Sequence, residues 1–226
     1  MGEDLLRLSK VTKVFRDAEE AVEVLKNLDL EVRSKDTIAV VGPSGIGKST
    51  LLHILGALDR PEEGELLLND QNLLTLDGTA LARVRNESMG FVFQFHHLLS
   101  EFTALENVMM PARIRGIAVK KAEKSARELL ERVGLGHRLH HKASQISGGE
   151  QQRTALARAL IMEPSFLLAD EPTGNLDAEN SERIHDLLLE IHRERGCALV
   201  VVTHNTSLAQ KMKRQITLRH GRIADA

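Results

Sequence analysis

The nine residues Gly42-Pro43-Ser44-Gly45-Ile46-Gly47-Lys48-Ser49-Thr50 constrain this chain more than any other stretch. They fit G-x-x-x-x-G-K-[ST], a loop that wraps the phosphates of a nucleotide. Glycines let the backbone curl tightly, so that successive N–H groups point inward as a nest for an anion. A helix beginning near Lys48 aims its positive dipole end at the same place. Lys48 adds a positive charge for the β- and γ-phosphates, and the Ser49 hydroxyl suits Mg²⁺. The flanks meet the structural requirement of such a loop. Thr37 to Val41 is a short apolar run that reads as a buried strand, and Leu51, Leu52, Ile54, Leu55 and Leu58 recur at helical spacing. The motif therefore points to an ATP-type ligand with Mg²⁺.

With 226 residues and 42% hydrophobic content, the chain can bury a sizeable core. Charge is near balance, 30 Lys+Arg against 32 Asp+Glu, and no basic tract points to nucleic acid. The single cysteine, Cys197, rules out an internal disulfide framework and, opening an apolar run, reads as a small core residue. Met1-Gly2-Glu3-Asp4 lacks the pattern of a signal peptide, and apolar runs such as Ala198 to Val202 are too short to span a bilayer. The expectation is a cytosolic chain whose membrane role, if it has one, comes through a partner.

Leu5 to Phe15 and Val22 to Val32 alternate as half-buried strands do, with a polar turn from Arg16 to Glu20 between them. Further strands are predicted over 65–68, 89–94, 166–170 and 198–203, with a terminal hairpin around His220-Gly221. A short helix capped by Asp77 is predicted over 77–84. From about 103 to 134 the period is helical, with Ala122, Ala126, Leu129, Leu130 and Val133 as one apolar stripe. Helices are also predicted over 148–162 and around Ile184, Leu187, Leu188 and Ile191. Strands alternating with helices imply an α/β fold: a mainly parallel sheet with helices on both faces.

Three more places carry chemistry. Phe166-Leu167-Leu168-Ala169-Asp170-Glu171 is an apolar strand ending in two acids, which are costly to bury without a positive partner. Beside the phosphate loop, Asp170 would hold Mg²⁺, and Glu171 would face the γ-phosphate and orient or deprotonate the attacking water. Ser147-Gly148-Gly149-Glu150 opens a helix; on physical grounds alone it is either a second anion site or an ordinary turn. His204 follows the strand 198–203 on the rim where parallel sheets bind ligands, and is either a phosphate donor or a structural histidine. His137, His140 and His141 sit with Arg138 and Lys142 and with no Cys or acid, so they read as a solvated loop rather than a metal site.

Taken together, and in this order, the motifs resemble the ATP-binding subunits of ABC transporters over nearly the whole chain. Residues 42–50 look like Walker A, Gln94 like the Q-loop, Ser147 to Glu150 like the signature, Asp170-Glu171 like the end of Walker B, Asn175-Leu176-Asp177 like the D-loop and His204 like the H-loop. The resemblance implies a P-loop NTPase core, with an N-terminal antiparallel β subdomain, over about 1–94 and 164–226. An inserted helical subdomain carrying the signature would occupy about 95–163. It also implies a head-to-tail homodimer in which Ser147, Gly148, Gly149 and Glu150 grip the ATP held by the other subunit's phosphate loop. Gln94 would sense the γ-phosphate and ligate Mg²⁺ with Ser49 and Asp170. His204 would steady the γ-phosphate, Asp177 would bridge the two sites, and Phe15 would stack on adenine where the family often has Tyr. Glu150 departs from the usual Gln by adding a negative charge, and Asn205 stands where an Asp often follows the histidine.

Within the family, Phe93-Gln94-Phe95-His96-His97-Leu98-Leu99 and the stretch 102–108 look like the ATPases of lipoprotein-releasing transporters. That implies integral membrane partners of that type and a peripheral place on the cytoplasmic face of the bacterial inner membrane. Other stretches are shared with macrolide-export and cell-division ATPases, which stay open as alternatives, as does an ATP-gated dimerisation module with little hydrolysis.

Overall fold

The computed structural model describes residues 5–16 and 21–225; the acidic N-terminus and positions 17–20 of the predicted polar turn lie outside the described residues. Strands β1 (Leu5–Arg16) and β2 (Ala21–Arg33) pair antiparallel. β3 (Thr37–Val41) runs into the phosphate loop and α1 (Lys48–Leu55) leaves it. This helix stops earlier than its apolar spacing predicts: Gly56 caps it, and Leu58 is exposed. β4 (Glu63–Leu68) and the two-residue β5 (Gln71–Asn72) complete an antiparallel sheet of order β2-β1-β4-β5. α2 (Gly78–Ser88) is longer than predicted and is capped by the Asp77 carboxylate, which accepts from the Ala80 N–H. It leads to β6 (Met89–Phe93), where Phe91 and Phe93 stack on one face with ring planes 3° apart.

The predicted helical run is two helices, α3 (Ala104–Ile114) and α4 (Val119–Arg132), separated by a turn at Gly116. Thr103 opens α3 with a reciprocal capping box to Glu106. α5 (Gly148–Leu160), β7 (Phe166–Asp170), α6 (Ala178–Arg195) and β8 (Ala198–Val202) follow. A five-residue helix, α7 (Thr206–Gln210), which no periodicity announces, precedes the hairpin of β9 (Arg214–Arg219) and β10 (Arg222–Asp225).

The second sheet has order β10-β9-β3-β8-β7-β6 and is parallel except for β10. Its central strands read as unbroken apolar runs because both faces are covered. Ile38, Val40, Phe166, Leu168 and Val200 point into a core shared with α1 and the antiparallel sheet. Their neighbours Ala39, Leu167, Ala169 and Val201 point the other way, into a core shared with α3, α4, α5 and α6. Cys197 is buried in that second core. The ends of β3, β6, β7 and β8 are thereby clamped from both sides, and each of these ends carries a residue singled out in the sequence.

Candidate active site

The phosphate loop bridges β3 and α1 and is shaped by left-handed backbone. Gly47, which caps α1, has φ 103°, and a Cβ there would come within 2.6 Å of Val24 Cγ1 on β2. Only glycine fits both demands. Pro43, Ser44 and Gly45 are exposed, Gly42 and Thr50 half-buried, and the Ile46 side chain leans on the core beside the antiparallel sheet. Lys48 is buried, and its Nζ donates to the carbonyls of Gly42 at 2.8 Å and Pro43 at 2.9 Å, inside its own loop.

Ser49 and Asp170, 121 positions apart, meet here: Ser49 Oγ donates to Asp170 Oδ1 at 3.1 Å. Burial holds the Asp170 carboxyl above its ordinary range despite that bond, so the site resists a bare negative charge. Two hard oxygen donors at the foot of an anion nest fit Mg²⁺, which is held through one or two protein groups plus phosphates and water. No cluster of three or more His, Cys, Asp or Glu that could hold a metal ion lies among the described residues.

Glu171 leaves β7 with φ 44°, its N–H donating to the Val202 carbonyl at 2.9 Å. The turn throws its carboxylate towards the end of β8, where His204 Nδ1 lies 2.9 Å from Glu171 Oε2. His204 is 73% exposed and Glu171 only 18%, so the histidine is the outer member of the pair. Gln94, just past β6, donates from Nε2 to Asn175 Oδ1 at 3.2 Å, and Asn175 Nδ2 returns a bond to the Gln94 carbonyl. A Cβ on Gly174 would meet Gln94 Nε2 at 2.9 Å, so any larger residue there would have to displace the Gln94 amide. Arg158 donates to the carbonyls of His96 and His97 and holds the segment after Gln94.

Ser147 to Glu150 form the first turn of α5. Ser147 Oγ accepts from the Glu150 N–H, and Glu150 Oε2 accepts from the Ser147 N–H at 2.8 Å, a closed capping box. Gly148 and Gly149 lie against Leu176 and Asn180, in the segment that bears Asp177. Asp177 caps α6 by accepting from the Asn180 N–H, and its bonds from the Asn180 backbone and amide hold its carboxyl below the usual range. The signature-like turn thus packs on the 175–180 segment of its own chain, and its exposed side faces outward. Phe15 is half-exposed at the end of β1, with Lys13 Nζ 5.2 Å from its ring centre and Val22 as its cross-strand neighbour. Two strand positions on from Val22, Val24 packs against Gly47 of the phosphate loop.

The ABC transporter family profile matches residues 25–174, two thirds of the chain. The chain belongs to the ABC transporter family. It is 55% identical over 219 residues to the lipoprotein-releasing system ATP-binding protein LolD of Geobacter metallireducens, covering 97% of each. It is 52% identical to the protein of that name from Hydrogenovibrio crunogenus, covering 98% of this chain and 96% of the relative. Among solved structures, it superposes on the dimeric structure of the bacterial ABC transporter cassette MJ0796 with a TM-score of 0.90 at 40% identity, covering 96% of each chain. A post-hydrolysis dimer of the same cassette bound to ADP and Pi matches with TM-score 0.90 at 38% identity, covering 97% of this chain and 98% of that one. This ABC ATPase therefore has the family's fold, with its antiparallel and parallel sheets, and is a nucleotide-binding ATPase.

Partners that the motifs do not reveal complete the site. Arg138, in a loop with no periodic signal, pairs with Glu150 at 3.0 Å. Asn205 caps α7 by accepting from the Leu208 N–H at 2.9 Å, a role that Asn fills as well as Asp.

Proposed function

We propose that this ABC ATPase powers a lipoprotein-releasing transporter from the cytoplasmic face of the bacterial inner membrane. The observation that carries the reading is the Glu171–His204 pair set beside the phosphate loop, in a chain alike over nearly its whole length to relatives that bear that name. ATP would lie with its triphosphate in the 42–50 loop, Lys48 turning from its loop carbonyls to the β- and γ-phosphates, and adenine against Phe15. Ser49, Asp170 and Gln94 would hold Mg²⁺, which neutralises phosphate charge when bound. A water attacks the γ-phosphorus in line with the bond to the bridging oxygen. Glu171 accepts the water proton, ADP leaves with the bridging oxygen, and His204 donates to the γ-phosphoryl oxygen.

The outward face of Ser147 to Glu150 would receive the ATP of a second, head-to-tail copy, with Asp177 between the two sites. The helical segment of about 95–163 would move as a unit against the core of about 1–94 and 164–226. Loss of the γ-phosphate removes the anion that both subunits attract, and the dimer opens. Ser147→Arg is expected to leave ATP binding by the monomer intact and to cut turnover about tenfold by blocking the partner's phosphate, as a steady-state assay beside nucleotide titration would read. Unaltered turnover would refute the contact between subunits.

No helix among the described residues is long and apolar enough to cross a membrane. A hydrophobic patch supports docking to a membrane subunit instead: Phe95, Leu99, Phe102 and Ile114 are exposed, and a groove of about 330 Å³ between α2, β6 and α3 is lined by Met89, Phe91, Phe93 and Ile114. The tagged chain, co-expressed with candidate membrane subunits, is expected to purify with a lipoprotein-releasing subunit. Purification with a four-span subunit of another transporter type, and with none of the lipoprotein-releasing type, would overturn the assignment.

A further inference from the structure

Glu150 is the one residue of the 147–150 turn whose charge opposes a phosphate, and its carboxylate is engaged on both oxygens. Oε2 accepts from the Ser147 N–H at 2.8 Å, and Oε1 accepts from Arg138 Nε at 3.0 Å. The Glu150 side chain is 13% exposed, partly shielded from water. Burial pushes the Glu150 carboxyl up, and the bonds from Ser147 and Arg138 outweigh that push, so it stays ionised. Arg138 reaches it from the turn Gly136–Arg138, whose backbone is tied down by Arg138 N–H to the Leu135 carbonyl and His141 N–H to the Arg138 carbonyl. The guanidinium is braced on its other side by His141 Nε2, 3.2 Å from Nη1. His137 Nε2, 4.0 Å from the same carboxylate oxygen, is too distant to replace it.

We propose that Arg138 is a positioning residue for the partner subunit's ATP, neutralising Glu150 and holding its carboxylate back against the Ser147 N–H so that the first turn of α5 presents its positive end to the phosphate. The idea rests on the reading that this turn meets a nucleotide across a dimer. With Arg138 in place, the turn offers the Ser147 hydroxyl, the Gly148 and Gly149 amides and an unopposed helix dipole. Without it, Glu150 leaves a bare carboxylate beside a triphosphate, and that like-charge contact weakens the closed dimer.

The test uses the full chain carrying Glu171→Gln, with Mg-ATP titrated in sedimentation velocity runs. Adding Arg138→Ala is expected to raise the ATP concentration at half-dimerisation roughly tenfold, and further adding Glu150→Gln to bring it back to within about threefold. A dimer defect that comes with a lower melting temperature, both relieved together by Glu150→Gln, would be a structural role and would overturn the proposal. Thermal unfolding and ATP binding by the monomer report whether each variant is folded. An Arg138→Ala dimer as strong as its parent, or a defect that Glu150→Gln leaves in place, overturns the proposal. If Ser147→Arg fails to block dimerisation in the same assay, or the parent never dimerises, the contact between subunits is wrong and the role of Arg138 falls with it. A block by Ser147→Arg with no effect of Arg138→Ala removes the Arg138 role alone.

Discussion

Glu171→Gln is expected to lower ATP turnover by about 10²–10⁴-fold, the usual worth of a positioned general base, while ATP binding is kept. The geometry makes the substitution a clean one. The left-handed turn at Glu171 is fixed by its own N–H on the Val202 carbonyl, and glutamine keeps that backbone bond. Its side-chain carbonyl can still accept from the His204 backbone N–H, 3.4 Å from Glu171 Oε2, and lie beside His204 Nδ1, 2.9 Å from the carboxylate. What is lost is the proton acceptor for water and one negative charge near the γ-phosphate and Asp170. The second loss strengthens the hold on unhydrolysed ATP, so the bound state accumulates as a closed dimer. Size-exclusion chromatography with and without Mg-ATP, beside a phosphate-release assay, reads both effects. A variant that stays monomeric and turns over at the normal rate would remove Glu171 from the role of base.

The parts of the fold legible in the sequence are those whose physics is local or strongly periodic. β3 and β7 match their predicted ends because an apolar run buried on both faces has sharp limits: Thr37 and Val41 bound one, Phe166 and Asp170 the other. Asp77 announced α2 because a carboxylate cap acts within three residues. Misses occurred where periodicity outlives the structure. Leu58 continues the apolar spacing of α1, but the chain turns at Gly56 and Leu58 is left outside. The helical period read over 103–134 is two helices: Ala122, Ala126, Leu129 and Leu130 of the stripe lie on α4, Val133 caps it, α3 is separate, and the break between them is a glycine turn with no Pro. α7, at five residues, is too short to show a period, and Asn205, noted only as a departure, proves to be its cap. At the site, residue types betrayed Lys48, Ser49, Asp170 and Glu171, because each has a chemical reason to stand beside a nucleotide. Their helpers were not visible. Asn175 reaches Gln94 across 81 positions, and Arg138 meets Glu150 from a loop whose histidines and cations read only as solvated.

Lys48→Ala is expected to weaken Mg-ATP binding about a hundredfold, the loss of roughly 3 kcal/mol from an ammonium that meets phosphate oxygens with charge-assisted bonds. Two losses add. Lys48 is buried, and its Nζ is held by the carbonyls of Gly42 and Pro43 at 2.8 and 2.9 Å, so the charge already stands inside the loop before a ligand enters. Exchanging two neutral carbonyl acceptors for ionised phosphate oxygens gains energy without moving the buried stem. Alanine removes that gain and also the two bonds that draw Gly42 and Pro43 around the ammonium, leaving the nest of amides less ordered. Lys48→Arg should recover little, because a planar guanidinium cannot take the place of a compact ammonium between two carbonyls. Calorimetric titration with Mg-ATP and with Mg-ADP separates the contributions. If Lys48 meets both β- and γ-phosphates, the loss is larger for ATP than for ADP. Equal losses would restrict it to the β-phosphate, and unchanged affinity for both would leave the loop amides as the whole of the phosphate site.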